Sequence, residues 1–286
     1  MESALSQAVS RFANSFQAIA DDDLDRAWAW QSYDSEGIRF AFFRTYEELR
    51  ELAVRLQWTR AASGKLPSEA QLVLAQYHAA YHDLQAALLG VGREHFELPP
   101  AEGEWSLKRI IAHIIGADMG FYVCVRYALN RHRADPDLPP DIPDEAWNSI
   151  LDMDEDAYRS LMEGSLEDLR SYHARLHTRI LADLADMSEA ELEKSSRYWE
   201  QEAMSLRFRL HRFESHMRQH TIQVDKTLES FGLVPNESKC MLRMIYTALA
   251  EAEGKLIGAN GAGREMIDES ADRLKQRTDE IARILT

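Results

Sequence analysis

The sequence Phe213-Glu-Ser-His-Met-Arg-Gln-His-Thr-Ile-Gln-Val224 places His216 and His220 four residues apart in an uninterrupted helical pattern. Four residues are roughly one turn of an α-helix, so both imidazoles leave the same face. That face also carries the apolar stripe of the helix, to which Phe213 and Val224 belong. Two neutral imidazoles in an apolar stripe need partners for their lone pairs, and a divalent metal ion is the usual partner. The stretch therefore predicts a helix that carries two metal ligands.

Spacing alone does not single out this pair. The sequence contains three pairs with the same spacing: His78/His82, His173/His177 and His216/His220. The first pair lies beside the apolar stripe of its helix, which indicates boundary or surface histidines. Arginines surround the second pair, and their positive charge disfavours a bound cation. The third pair lies on the stripe and is the stronger candidate.

A lone histidine, His113, is a candidate third ligand. It is flanked on both sides by pairs of isoleucines in a helical stretch. A buried histidine is by default a core residue with a backbone hydrogen bond, but a histidine pair on a facing helix favours a shared site. Three imidazoles with one open position are typical of a catalytic metal centre. Zinc, nickel, iron or another divalent ion fits imidazole ligands, and zinc or nickel is the expected ion.

Long helical stretches separated by Gly- and Pro-rich breaks predict an all-α fold. Four of these stretches have the length and apolar stripes of a four-helix bundle: residues 68–90, 106–133, 165–187 and 204–231. The predicted domain organisation is an N-terminal helical extension (1–66), the four-helix bundle (67–235) and a C-terminal helical hairpin that packs on the bundle (236–286).

A short β-hairpin is predicted inside the N-terminal extension. Aromatic and polar residues alternate from Trp28 to Tyr33, and again from Ile38 to Phe42, on either side of a turn that contains Gly37. Such alternation around a glycine-containing turn is typical of a hairpin. The same aromatic residues also pack well on helices, so a helical alternative stays open.

Composition excludes several classes of function. The formal net charge is −15, with 48 acidic against 33 basic residues, and this argues against nucleic-acid binding. No apolar run approaches the roughly 20 residues that span a bilayer, and no secretory signal opens the chain. Cys124 and Cys240 are expected to be free thiols. We therefore expect a cytoplasmic protein with no membrane partner.

Two stretches resemble the DinB/YfiT-like superfamily of metal-binding four-helix bundles. Gly103-Glu-Trp-Ser-Leu-Lys-Arg-Ile-Ile-Ala-His113 is similar to the opening of the family's second helix, and Leu210-His-Arg-Phe-Glu-Ser-His-Met-Arg-Gln-His-Thr-Ile-Gln-Val-Asp-Lys226 is similar to its final bundle helix. The resemblance extends over roughly residues 67–235 and implies that His113, His216 and His220 bind the metal. Some family members are S-transferases or maleylpyruvate isomerases that activate a low-molecular-weight thiol.

Three hypotheses follow. The first is a metal-dependent thiol transferase or hydrolase that acts on a small molecule, for which Asp118 and Glu214 are candidate general bases by sequence proximity only. The second is a non-catalytic metal-binding protein with a structural or stress-response role. The third is a metal-free buried polar network of histidines. The terminal helices are compatible with a homodimer, with a shielded pocket or with a plain structural extension.

Overall fold

The computed structural model describes residues 3–200, 202–259, 261 and 263–286. These residues are predominantly helical, which confirms the all-α prediction. The helices are α1 (Ala4–Phe16), α2 (Ile38–Ala62), α3 (Glu69–Ala87), α4 (Arg93–Phe96), α5 (Leu107–Arg133), α6 (Asp144–Leu151), α7 (Glu155–Met162), α8 (Leu166–Leu184), α9 (Glu189–Leu192), α10 (Leu206–Ser230), α11 (Glu237–Gly254) and α12 (Arg264–Leu285), with a short 3₁₀ turn at Asp21–Asp25. Two short strands, β1 (Ser195–Ser196) and β2 (Met204–Ser205), pair antiparallel just before α10.

The chain folds as two compact units. The terminal unit comprises Met1–Leu66, His82–Val91 and Gly232–Thr286, and the bundle unit comprises Pro67–Tyr81 and Gly92–Phe231. The sequence predicts two separate terminal additions, whereas both terminal segments belong to one unit of the structure. Their pairing depends on contacts between residues far apart in the sequence, from 195 positions for Arg60 and Lys255 to 268 for Arg11 and Asp279, which local periodicity does not reveal.

The terminal unit has its own apolar core. Helix α1 packs against α12, and α2 packs against α11. At the centre, the rings of Phe12, Phe16 and Phe42 meet edge to face, with centroid separations of 5.0 to 6.2 Å. Such aromatic clusters bury a large apolar area and prefer this geometry. The core of the terminal unit is therefore built mainly from these four helices, and Ala86 and Leu89, at and just beyond the end of α3, also belong to it.

The predicted β-hairpin is wrong. Residues Ile38 to Phe42 form the first turn of α2, and the only trace of pairing nearby in the described chain is an isolated bridge between Trp30 and Tyr33. Gly37 adopts a positive φ of 60° just before the helix, and a side chain there would collide with the Arg26 carbonyl oxygen. Ile38 and Phe42 are both buried at helical spacing, so core packing selects the helix.

Four helices form the bundle unit: the first part of α3, and α5, α8 and α10. Serine caps begin three of these helices, since Ser106, Ser165 and Ser205 each accept a hydrogen bond from a backbone N–H three residues later. Helices α6 and α7, between α5 and α8, were not predicted. Each is only eight residues long and contains no buried residue, and so short a segment gives a weak helical signal in a sequence that is rich in Asp and Pro just before it.

Helix α5 forms the centre of the bundle unit. By length and composition alone it could cross a membrane, but 72% of its most apolar window is buried inside the structure. Its contacts with α8 and α10 account for that burial. Its apolar character is therefore explained by packing, and it carries His113 to the face of α10.

Candidate metal centre

Helices α5 and α10 bring the three predicted ligands together. The Nε2 atoms of His113 and His216 lie 3.2 Å apart. One ring nitrogen from each of His113, His216 and His220 lies within 4.8 Å of the other two. The helices run antiparallel, because His113 faces the histidine pair whereas Phe121, two turns further along α5, faces Phe213. Two histidines four residues apart on α10 therefore lie opposite a single histidine on α5.

Hydrogen bonds to residues outside the triad determine which ring nitrogens are available to bind a metal ion. The Nδ1 atom of His220 lies 2.9 Å from the Oε1 atom of Gln223, so this nitrogen carries the proton and donates it. That tautomer leaves the Nε2 lone pair of His220 for a metal. The Nδ1 atom of His216 is buried, and no described residue is its hydrogen-bond partner. His216 thus has one nitrogen aimed at the triad and one in an apolar setting.

The environment holds two of the imidazoles in their neutral form. Burial, followed by the nearby His220, His113 and Arg212, lowers the pKa of His216 to about 3. Burial also lowers the pKa of His113, with further contributions from His220 and Arg109. A neutral imidazole has a free lone pair, so both residues are prepared to bind a cation at neutral pH.

Aromatic rings and arginines border the triad. The Trp105 ring meets His113 edge to face at 5.2 Å and lies parallel to His220 at 6.5 Å. The guanidinium of Arg109 stacks on Trp105 at 4.5 Å. His216 and His220 are each only 8% exposed, whereas His113 is more accessible. Solvent therefore reaches the triad from the side of α5.

The structure does not bring the two candidate general bases to the triad. Asp118 is completely buried, and its Oδ2 atom accepts hydrogen bonds from Tyr77 (2.8 Å) and from His173 (3.0 Å). Burial raises the pKa of this carboxyl, although both partners oppose the rise. Glu214 forms an ion pair with Arg218 at 2.7 Å on the surface of α10. Neither carboxylate faces the metal ligands.

The interpretation of the first histidine pair was wrong, because His78 and His82 are both buried. His78 lies against His177 of α8, with 3.2 Å between Nδ1 and Nε2. The ring of His177 also stacks on Tyr81 at 3.8 Å. The sequence signal was the helical spacing of Tyr77 and Tyr81, which marks an aromatic face next to the histidines. Only the pairing of α3 with α8 shows what that face contacts.

A comparison with known families points to the same region. The family model of the DinB superfamily matches residues 76–224, slightly more than half of the chain. The matched range begins in α3, contains α5 and α8, and ends within α10, so it includes all three triad histidines. No curated protein and no solved structure matches the chain.

Proposed function

Because the chain belongs to the DinB superfamily and its bundle gathers three imidazoles at one point, we propose that it binds a divalent metal ion and uses it in a transferase or hydrolase reaction on a small molecule. A low-molecular-weight thiol is the proposed nucleophile. The observation that carries the proposal is the convergence of ring nitrogens from His113, His216 and His220 within 4.8 Å of one another.

The donor set fits such an ion. Imidazole nitrogen suits zinc and nickel equally, and three protein ligands leave a position for a substrate or for water. The Nε2 atoms of His113 and His216 face each other at 3.2 Å, an approach that a shared cation relieves. A bound ion would lower the pKa of a thiol or water at the open position and so supply a nucleophile near neutral pH.

The residues around the triad orient the ligands and limit the access of solvent. Gln223 fixes the tautomer of His220, and Trp105 covers the imidazoles of His113 and His220 from one side. Neither candidate general base, Asp118 or Glu214, faces the triad, because each is bound to other residues. We therefore propose that proton removal from the nucleophile relies on its lowered pKa rather than on a neighbouring protein base.

A metal-free hydrogen-bonded network is the second candidate, since 3.2 Å between two imidazole nitrogens is also a hydrogen-bond distance. A metal that only stabilises the bundle is the third. A ligand that binds only the native state must raise its stability. A melting temperature that chelator leaves unchanged would exclude the structural role, while loss of several degrees would support bound metal.

Thiol conjugation tests the proposed reaction. Apoprotein reloaded with zinc or nickel is incubated with several low-molecular-weight thiols and an electrophilic acceptor. We expect conjugation in the loaded wild type, none in His216→Ala, and wild-type rates in His211→Ala, since His211 is an exposed histidine on the same helix. Equal rates in apoprotein and loaded protein would contradict a metal-dependent reaction.

A further inference from the structure

Two arginines stand one helical turn before the triad histidines. Arg109 precedes His113 on α5 by four residues, and Arg212 precedes His216 on α10 by four residues. Side chains at this spacing share a helix face. The Arg212 guanidinium lies 5.8 Å from the ring of Phe121, which itself contacts the His216 ring at 5.7 Å. Each arginine is therefore held by an aromatic ring beside a proposed metal ligand.

These two arginines lack the carboxylate partners that their neighbours have. On α10, Arg209 pairs with both oxygens of Glu200 at 2.6 and 2.7 Å, and Arg218 pairs with Glu214 at 2.7 Å. Within the described part of the chain, Arg212 has no ion pair, and its guanidinium donates a 3.4 Å hydrogen bond to Ser215. Glu200 is near enough for the charge of Arg212 to act on it, but both Glu200 oxygens are bound by Arg209. Arg109 likewise has no ion pair among the described residues, and its guanidinium stacks on Trp105.

Charge at this site is unbalanced. Three neutral imidazoles bring no negative charge, so a divalent ion held by them keeps its full charge. The two guanidinium groups add to it, because an arginine remains protonated. In a chain with a net charge of −15, such a concentration of positive charge is unusual. This positive charge favours the entry of an anion into the site once the cation is bound.

We propose that the substrate carries a carboxylate or phosphate group, and that Arg212 binds this group while the reacting end of the substrate reaches the metal centre. The inference rests on the proposed function. The guanidinium fork suits both oxyanions through paired hydrogen bonds. Arg212 is half-buried whereas Arg109 is exposed, so Arg212 determines the specificity and Arg109 adds long-range attraction.

The geometry also limits the size of the substrate. One helical turn separates Arg212 from His216, a rise of roughly 5 Å along the axis. A molecule that spans this separation has its anionic group only a few bonds from its reacting atom. The site therefore fits a short organic anion better than a long or polymeric one.

Anion titration of the cobalt-loaded protein tests the inference without an activity assay. Cobalt(II) affinity is first measured by calorimetry for the wild type, Arg212→Gln, Arg212→Lys and Arg218→Gln. Acetate and inorganic phosphate are then titrated while the visible cobalt spectrum is followed. Arg218→Gln is the matched control, because Arg218 lies on the same helix but is already paired with Glu214.

We expect cobalt to bind all four proteins, and anion affinity to fall about tenfold in Arg212→Gln but not in Arg218→Gln. Arg212→Lys keeps the charge without the fork, so its affinity should lie between those of the wild type and Arg212→Gln. Whichever of acetate and phosphate binds the wild type more tightly indicates whether the substrate group is a carboxylate or a phosphate. Absence of cobalt binding in the wild type would contradict the proposed function itself. Cobalt binding with equal anion affinity in all four proteins would overturn the role of Arg212 alone.

Discussion

The bundle unit contains two groups of histidines that differ in what faces their ring nitrogens. At the metal centre, the Nε2 atoms of His113 and His216 face each other at 3.2 Å. In the second group, the Nε2 atom of His173 faces the carboxylate of Asp118 at 3.0 Å, and Tyr77 donates to the same oxygen. Histidine pairs with the same spacing in the sequence thus differ in function. Residues on the neighbouring helices determine whether a ring nitrogen hydrogen-bonds within the protein or is available to bind a ligand.

Removal of the buried carboxylate should produce the largest loss of stability. Asp118→Ala leaves the Tyr77 hydroxyl and the His173 imidazole without this acceptor in a fully buried setting, and we expect the free energy of unfolding to fall by about 3 kcal/mol. Urea denaturation followed by circular dichroism measures the loss. Metal binding should survive, since Asp118 contacts none of the triad residues.

Glu214→Ala is the control for that experiment. Its ion pair with Arg218 lies on the surface, so removal should cost less than about 1 kcal/mol. Equal losses in the two variants would contradict the stabilising role of the buried Asp118 carboxylate. Loss of metal in Asp118→Ala would mean that the two histidine groups are coupled.

A smaller effect is expected at the residue that orients His220. Gln223→Ala removes the acceptor 2.9 Å from the Nδ1 atom and lets the ring adopt the other tautomer. Affinity for zinc, measured by competition with a chromophoric chelator, should fall about tenfold. Gln219→Ala, an exposed glutamine on the same helix, should leave the affinity unchanged. An unchanged affinity in Gln223→Ala would show that this contact does not prepare the ligand.

The pH dependence of the apoprotein should show the smallest effect. Burial holds the pKa of His216 at about 3, below its ordinary value of 6.5. The unfolded chain therefore binds the proton first, and the contribution of this residue to stability falls as the pH drops below 6.5. The full shift corresponds to a loss of about 2 kcal/mol between pH 7 and pH 5. We expect about 1 kcal/mol, because solvent at the triad screens part of the effect.

Urea denaturation of chelator-treated protein at several pH values tests this expectation. In His216→Phe the free energy of unfolding should change less between pH 7 and pH 5 than in the wild type, because phenylalanine does not titrate. His211→Ala should retain the wild-type slope, since His211 is exposed. A slope unchanged in His216→Phe would show that other groups control the acid sensitivity.

The sequence predicted the bundle helices and the meeting of His113 with His216 and His220 because these features depend on local signals. The apolar periodicity marks the buried face, and serines 106, 165 and 205 mark the starts of three helices. The family resemblance rested on the same local stretches. A histidine that interrupts an apolar stripe was therefore a usable indication of a shared site.

Features that depend on helix pairing were not predicted. The partners of Asp118 lie 41 and 55 positions away, on α3 and α8, so its proximity to His113 in sequence was misleading. The burial of His78 has the same origin, since its neighbour His177 is 99 positions distant. The β-hairpin was predicted wrongly for a different reason. Alternating aromatic residues are compatible with both a strand and a helix, and only the packing of the surrounding core distinguishes the two.

Metal content, measured on protein purified without a histidine tag, tests the central claim most directly. We predict about one divalent ion per chain in the wild type, in His211→Ala and in His173→Ala, and substantially less in His216→Ala. Substoichiometric metal in the wild type that is unchanged by His216→Ala would contradict the assignment of the metal centre to His113, His216 and His220.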